Sequence, residues 1–159
     1  MVYVDNIEIK GNSQRQSDYP IFNSNSQMIN SIFTKPRIPF KHSGTLFKKQ
    51  KAIDLGGYDV QLTSKIDIDF FLKFLSKGAN VKLLKRNLVY FYFHNDSISR
   101  KQRFKALPVW WKFIDEYSGK GFFYKLFYKI VRSFLEILKF VFEIFYRIRS
   151  RFFWIFNLY

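Results

Sequence analysis

Apolar and polar positions alternate unevenly along these 159 residues, and the changes of period mark the elements. From Met1 to Lys10, Val2 and Val4 and then Ile7 and Ile9 alternate with polar partners. That is the period of a strand, with Asp5-Asn6 read as a turn within it. Asn12 to Asn30 is rich in Ser, Asn and Gln and reads as a loop with a weak helix. Lys35-Pro36-Arg37-Ile38-Pro39 is an extended basic connection, because each proline biases its predecessor away from helix. His42 to Phe47 returns as a strand. Lys48 to Leu55 then forms a short helix stopped by Gly56.

The next apolar run has helical spacing. Ile68, Phe71, Leu72 and Leu75 line one face, Phe70 and Phe74 a second, and Gly78 closes the helix. Ser64-Lys65-Ile66-Asp67 fits a capping box at its start. Val81 to Leu84 and Leu88 to Phe93 read as two strands joined by a basic turn, Lys85-Arg86-Asn87. The run LVYFYF does not alternate, so both of its faces are expected to be covered. The polar cluster His94 to Arg100 follows, at the kind of place where α/β sites tend to sit. Ser99 can cap a helix from Arg100 to Leu107. Pro108 starts or kinks another through Trp110, Trp111 and Phe113, ending near Ser118-Gly119. The expected class is therefore α/β.

The tail is patterned differently. From Gly121 to Tyr159, Lys125, Lys129, Arg132, Glu136, Lys139, Glu143 and Arg147 step by three or four residues. They form one narrow charged stripe on a long helix that is otherwise Phe, Leu, Ile, Val and Tyr. Charges interrupt every turn, whereas a spanning helix needs about 20 mostly uncharged residues. The pattern fits a helix lying in a bilayer interface. The competing reading is that the apolar face packs on the domain or dimerises. The chain thus divides into residues 1–118 and a basic aromatic tail, residues 119–159.

Composition narrows the partners. Hydrophobic residues make up 48% and aromatics 21%, too apolar for a disordered chain and more aromatic than a small core needs. Lys+Arg 27 against Asp+Glu 12 leaves a formal charge of +15, which favours phospholipid headgroups, nucleic acid or nucleotide phosphates. With no cysteine, disulfides and thiolate metal sites are excluded, which fits a reducing cytoplasm. The first residues lack an apolar core run, so no signal peptide is expected there.

Two carboxylates and a histidine are the candidate chemistry. Asp67 and Asp69 open a mostly apolar helix. They either complement its positive end or, for one of them, aim into a cleft as a general base. His42 is one of two histidines, and is either a structural hydrogen-bonding group or a site residue.

An ordered set of motifs adds a family to this reading. His42-Ser43 comes first, then Gly56-Gly57-Tyr58-Asp59 and Ile66-Asp67-Ile68-Asp69-Phe70-Phe71-Leu72-Lys73. Gly78, Leu88-Val89-Tyr90 and His94-x-x-Ser97-x-Ser99 follow. From Tyr3 to about Arg100 the chain resembles the acceptor-binding half of family 2 glycosyltransferases of the GT-A fold. The resemblance implies a partial GT-A-like sheet with flanking helices, to which the long amphipathic helix is appended. It implies inverting transfer from a nucleotide-diphosphate sugar to a glycan or lipid-linked acceptor, as in surface polysaccharide synthesis. Asp67 matches the family's base position. Asp69 matches its second acidic position, and His42, Gly56, Gly57 and Asp59 fall along the acceptor wall. His94, with Ser97 and Ser99 beside it, matches a polar position near the diphosphate.

The resemblance also implies a divalent cation, Mg or Mn, offsetting charge on the leaving diphosphate. Here the sequence departs from the family. Tyr3-Val4-Asp5-Asn6 resembles the strand after the family's D-x-D metal ligands, rather than D-x-D itself, and the nucleotide-binding half is expected to be missing. A truncated product, a split enzyme completed by a second chain, and a remnant with a binding role all fit. Placement at the inner face of a cell membrane, cytoplasmic and peripheral through residues 121–159, suits a lipid-linked acceptor. The alternative is a non-enzymatic basic protein of membrane surfaces or nucleic acid. No recognised nucleic-acid module is present.

Overall fold

The computed structural model describes residues 1–92 and 106–156, with side chains to residue 145. It is α/β, built on one central strand. Strand β1 (Val2–Lys10) pairs antiparallel with β2 (Ser13–Gln16) and with β3 (Thr45–Leu46). On its other edge it pairs in parallel with β4 (Lys82–Tyr92), from Val2 opposite Lys82 to Ile9 opposite Tyr92.

Asp5 and Asn6 do not turn the chain. They lie buried in the middle of β1 and are bonded from a neighbouring loop. The backbone N–H of Tyr19 donates to Asp5 at 2.9 Å, and the Asn6 amide donates to the Tyr19 hydroxyl at 3.1 Å. Two buried polar residues that break an apolar alternation look like a turn in sequence. Here the loop bonds Asp5 and the Asn6 amide nitrogen, the Asn6 Oδ1 stays buried without a hydrogen bond, and the strand continues.

The expected pair of strands joined at Lys85-Arg86-Asn87 is one strand, β4, carrying a bulge. The register steps from Val4 opposite Leu84 to Asp5 opposite Asn87, and again to Asn6 opposite Val89, leaving Lys85, Arg86 and Leu88 as the extra residues. The bulge turns the Lys85 ammonium onto Asp18, the Tyr19 carbonyl and Asp5. The faces of β4 are not both covered, since Leu88, Tyr90 and Tyr92 are exposed. Those aromatics mark strand propensity rather than burial.

Three helices precede β4 and two follow it among the described residues. Helix α1 (Asn25–Thr34) is capped by Ser24, whose side chain accepts from the Gln27 N–H at 3.2 Å. It buries Met28, Ile29, Ile32 and Phe33; the weak helix expected before Asn30 is present and runs on to Thr34. The segment expected as a strand from His42 is first a 3-10 turn, His42–Gly44, and then β3. The turn sits tight on β1. A Cβ on Gly44 would stand 2.9 Å from Val4 Cγ2 and 3.0 Å from Asn6 Oδ1, so any side chain there requires Val4 or Asn6 to shift.

Helices α2 (Lys49–Asp54) and α3 (Ile66–Ser76) end in the same way. After α2, Gly57 N–H bonds the Ala52 carbonyl and Gly56 N–H the Ile53 carbonyl. After α3, Ala79 N–H bonds Phe74 and Gly78 N–H bonds Leu75. Both are Schellman closures, with Gly56 and Gly78 at positive φ. Helix α4 (Leu107–Tyr117) carries Pro108 in its first turn and buries Trp110, Phe113, Ile114 and Tyr117. Helix α5 (Phe122–Phe156) follows Gly119 and packs on α1 and α4. The turn between α4 and α5 is where residues 1–118 give way to the tail. Across it, Tyr128 joins the core cluster of Phe33, Phe71, Leu72, Trp110 and Phe113.

Candidate functional site

The first turn of α3 is not built as the sequence implied. Lys65, in the left-handed region at φ 60, is the N-cap, and no side chain caps the helix. Ser64 is buried one residue upstream, so the capping box does not form. Two consequences follow for the carboxylates. Asp67 is released from capping, and Asp69 is drawn inward.

Asp69 is buried. Its Oδ1 accepts from the Tyr117 hydroxyl at 2.7 Å, and its Oδ2 faces the Lys73 ammonium at 3.0 Å. Lys73 also donates to the Gly57 carbonyl at 3.1 Å. The carboxylate therefore ties α3 to α4 and, through Lys73, to the turn after α2. Burial, helped by the Asp69 carboxylate, pushes the Tyr117 phenol well above its ordinary range.

Asp67 is exposed and makes no hydrogen bond with the described residues. Its charge is felt by two groups from other elements. The Tyr58 phenol is raised, by burial first and then by Asp67. The Lys41 ammonium is lowered by burial, against the pull of Glu8 and Asp67. Tyr58 stacks on Phe70 of α3, ring centroids 4.3 Å apart, and its hydroxyl meets Nε2 of His42 in a short hydrogen bond. Lys41 lies 3.8 Å from Glu8 and 4.2 Å from the centroid of the Phe91 ring. Lys41, His42, Tyr58 and Asp67 thus gather where the 3-10 turn, the loop after Gly57 and the tip of α3 converge.

The other residues named from sequence are placed as follows. Gly56 and Gly57 shape the backbone beneath Tyr58 by closing α2. Asp59 accepts from the Gln61 N–H at 2.9 Å and faces Lys112 of α4 at 3.6 Å, so it fastens the loop. His94, Ser97 and Ser99 lie outside the described residues. Lys41 and Tyr58 were missed. Tyr58 stood inside a quoted motif, and Lys41 directly before one, yet neither had a spacing that pointed to Asp67.

A cleft of about 1010 Å³ lies between the Ser17–Phe22 segment, the end of α1 and the Lys35–Pro39 connection; Lys41 lines it, and Asp67, His42 and Tyr58 do not. Tyr19, Phe22 and Ile38 give it apolar walls, and its charged lining is mixed: Lys35, Arg37 and Lys41 with Glu8 and Asp18. Among the described residues no three His, Asp or Glu side chains gather into a group that could hold a metal ion. What the arrangement offers chemically is an exposed proton acceptor, Asp67, whose charge reaches a phenol that is hydrogen-bonded to an imidazole. Comparison with family models, curated proteins and solved structures returns no significant match to this chain.

Proposed function

We propose that this chain provides the acceptor side of an inverting glycosyl transfer, with Asp67 as the base. The observation that carries this reading is the Asp67 carboxylate itself. It is solvent-facing and free of hydrogen bonds to the described residues, and it is mounted on a helix whose remaining face is core. An acceptor hydroxyl placed there gives its proton to Asp67 as its oxygen attacks the anomeric carbon from the face opposite the leaving group. The bond from that carbon to the diphosphate breaks, and the nucleoside diphosphate leaves with the electron pair. Tyr58 and His42 hold neighbouring acceptor hydroxyls, and the Lys41 charge draws the anionic portion of the substrates toward the cleft. The GT-A-like assignment belongs to the same reading. On this reading the nucleotide-binding half is missing from the chain, and transfer needs a second chain that supplies it.

The test is transfer from a labelled nucleotide sugar by membranes of cells producing the chain, with any partner retained. Asp67→Asn is expected to lose transfer by a factor of about 10² or more while the fold and glycan binding persist. Undiminished transfer by the variant overturns the assignment. So does a wild-type chain that neither transfers sugar nor shows glycan-induced NMR shifts at His42 and Tyr58.

A further inference from the structure

The charged stripe of α5 faces the protein. Lys125 donates to the Asp115 carbonyl at 2.8 Å, and Lys129 pairs with the Asp115 carboxylate at 2.7 Å. Arg132 is buried against Trp110 and bonds the carbonyls of Ile32 and Lys35. Glu136 is buried between Arg132 and Lys139. From Phe122 to Phe145 every charged side chain is half or fully buried, and every exposed one is aliphatic or aromatic. Phe123 is 82% exposed, Phe142 71%, Ile130 61%, Phe134 57% and Phe127 54%. The helix is polar toward the domain and apolar toward the outside.

The breadth of the outer face indicates what covers it. At about 100° per residue the exposed positions sweep an arc of roughly 200°. A coiled-coil partner covers only the narrow seam of an a/d repeat. A second copy would leave most of the arc in water, and would bring +15 against +15. A plane of lipid covers a half-cylinder at once. The helix runs 35 residues, or about 50 Å, and no helix among the described residues is long and apolar enough to cross a membrane. The sequence beyond residue 145 adds Arg147, Arg149 and Arg151 with no acidic residue. Trp111, 45% exposed, donates to Ser133 beside the helix, as an aromatic at an interface does.

We infer that α5 lies along an anionic lipid surface with Phe127, Ile130 and Phe134 in the acyl boundary, its charged stripe holding the domain above it. The surface attracts the net positive charge, and the apolar arc supplies the insertion. This placement is independent of the transferase reading. Where that reading also holds, Lys65 at the α3 tip lies 5.9 Å from the centroid of the Trp110 ring, which packs against Arg132 on the inner side of α5.

The experiment is flotation of the full chain with phosphatidylcholine vesicles, with and without phosphatidylglycerol. Wild type is expected to float with the anionic vesicles. Phe127→Asp/Ile130→Asp/Phe134→Asp is expected to partition at least about tenfold more weakly, with unchanged helical circular dichroism. Should the triple variant not fold, Phe123→Ser/Phe142→Ser removes two still more exposed side chains. Equal flotation of the folded variant and wild type overturns the inference. So does a wild type that ignores vesicles and forms a dimer that the variant abolishes, or one that binds an oligonucleotide alone. Asp67→Asn is expected to float as wild type does, so loss of transfer and loss of lipid binding report on different readings.

Discussion

Replacing Arg132 with alanine tests whether α5 is held to the domain by its charges. The side chain is 1% exposed. One guanidinium nitrogen bonds the Ile32 and Lys35 carbonyls at 3.3 and 3.1 Å, capping the end of α1. The other meets Glu136 at 2.6 Å, and the plane lies 3.7 Å from the Trp110 ring centroid. Removing one partner of a buried ion pair costs about 3–5 kcal/mol, because the other charge is left stranded. Lys139 remains 3.1 Å from Glu136 and moderates this. Two carbonyls losing their donor add roughly 1–3 kcal/mol, and the lost stacking about 1 kcal/mol, though these overlap. Arg132→Ala is therefore expected to lower stability by about 3–5 kcal/mol, a large share of the ~5–15 kcal/mol of an ordinary domain. Arg132→Lys keeps the charge without the planar fork, and recovers part of the loss. Urea titration followed by Trp fluorescence, in mild detergent to cover the outer face, measures both. A loss below about 1 kcal/mol for Arg132→Ala would refute the claim that these charges secure the helix.

Two further outcomes concern the strand layer. Gly44→Ala sets a Cβ against Val4 and Asn6 on the central strand. It is expected to cost about 1–3 kcal/mol in a urea titration and to displace His42 from Tyr58; a change within about 0.5 kcal/mol would show that the turn has room. On the alkaline side, burial and then the Asp5 carboxylate raise the Tyr3 phenol to about 12. A raised folded value means stability complete below the unfolded value near 10 and lost as pH climbs through about 12, on the order of 2–3 kcal/mol. Tyr19 and Tyr117 act in the same direction. Lys139, lowered to about 8 by burial and Arg132, acts oppositely. In that window the unfolded chain binds more protons, so stability gains between about 8 and 10.5. Urea midpoints are expected to hold or rise toward pH 10 and then fall; a midpoint unchanged at pH 12 would contradict the burial of these phenols.

Elements with local rules were legible in sequence. Gly56 and Gly78 end α2 and α3 because only a residue tolerant of positive φ closes those turns at little cost. Pro108 starts α4 for an equally local reason. What escaped depended on distant partners. Asp5 and Asn6 lie in mid-strand only because the loop at Tyr19 reaches back to them. The β4 bulge exists because Lys85 finds Asp5 and Asp18. The stripe on α5 was visible, but its direction was not. Periodicity separates two faces of a helix, and which one turns inward depends on Asp115, Trp110 and the α1 carbonyls. At the site, Asp67 and His42 were named from sequence. Tyr58, which bonds His42 and feels the Asp67 charge, was not, because its stacking on Phe70 is a tertiary contact.

The two carboxylates of α3 show how a helix divides work between near neighbours. Asp67 and Asp69 are two positions apart, about 200° around the axis, so they cannot share a face. Asp69 takes the inward one, and its bonds to Tyr117 and Lys73 fasten α3 to α4 and to the Gly57 turn that carries Tyr58. Asp67 takes the outward one, held in place by a rigid element without spending its own oxygens on it. Substitutions at the two positions therefore report on different things. Asp69→Asn weakens the charge that retains Lys73, and reaches the site through the fold. Asp67→Asn removes a proton acceptor and leaves the packing beneath it untouched. A chain in which both substitutions cost stability equally would mean that Asp67 is structural too, and the site would lose its base.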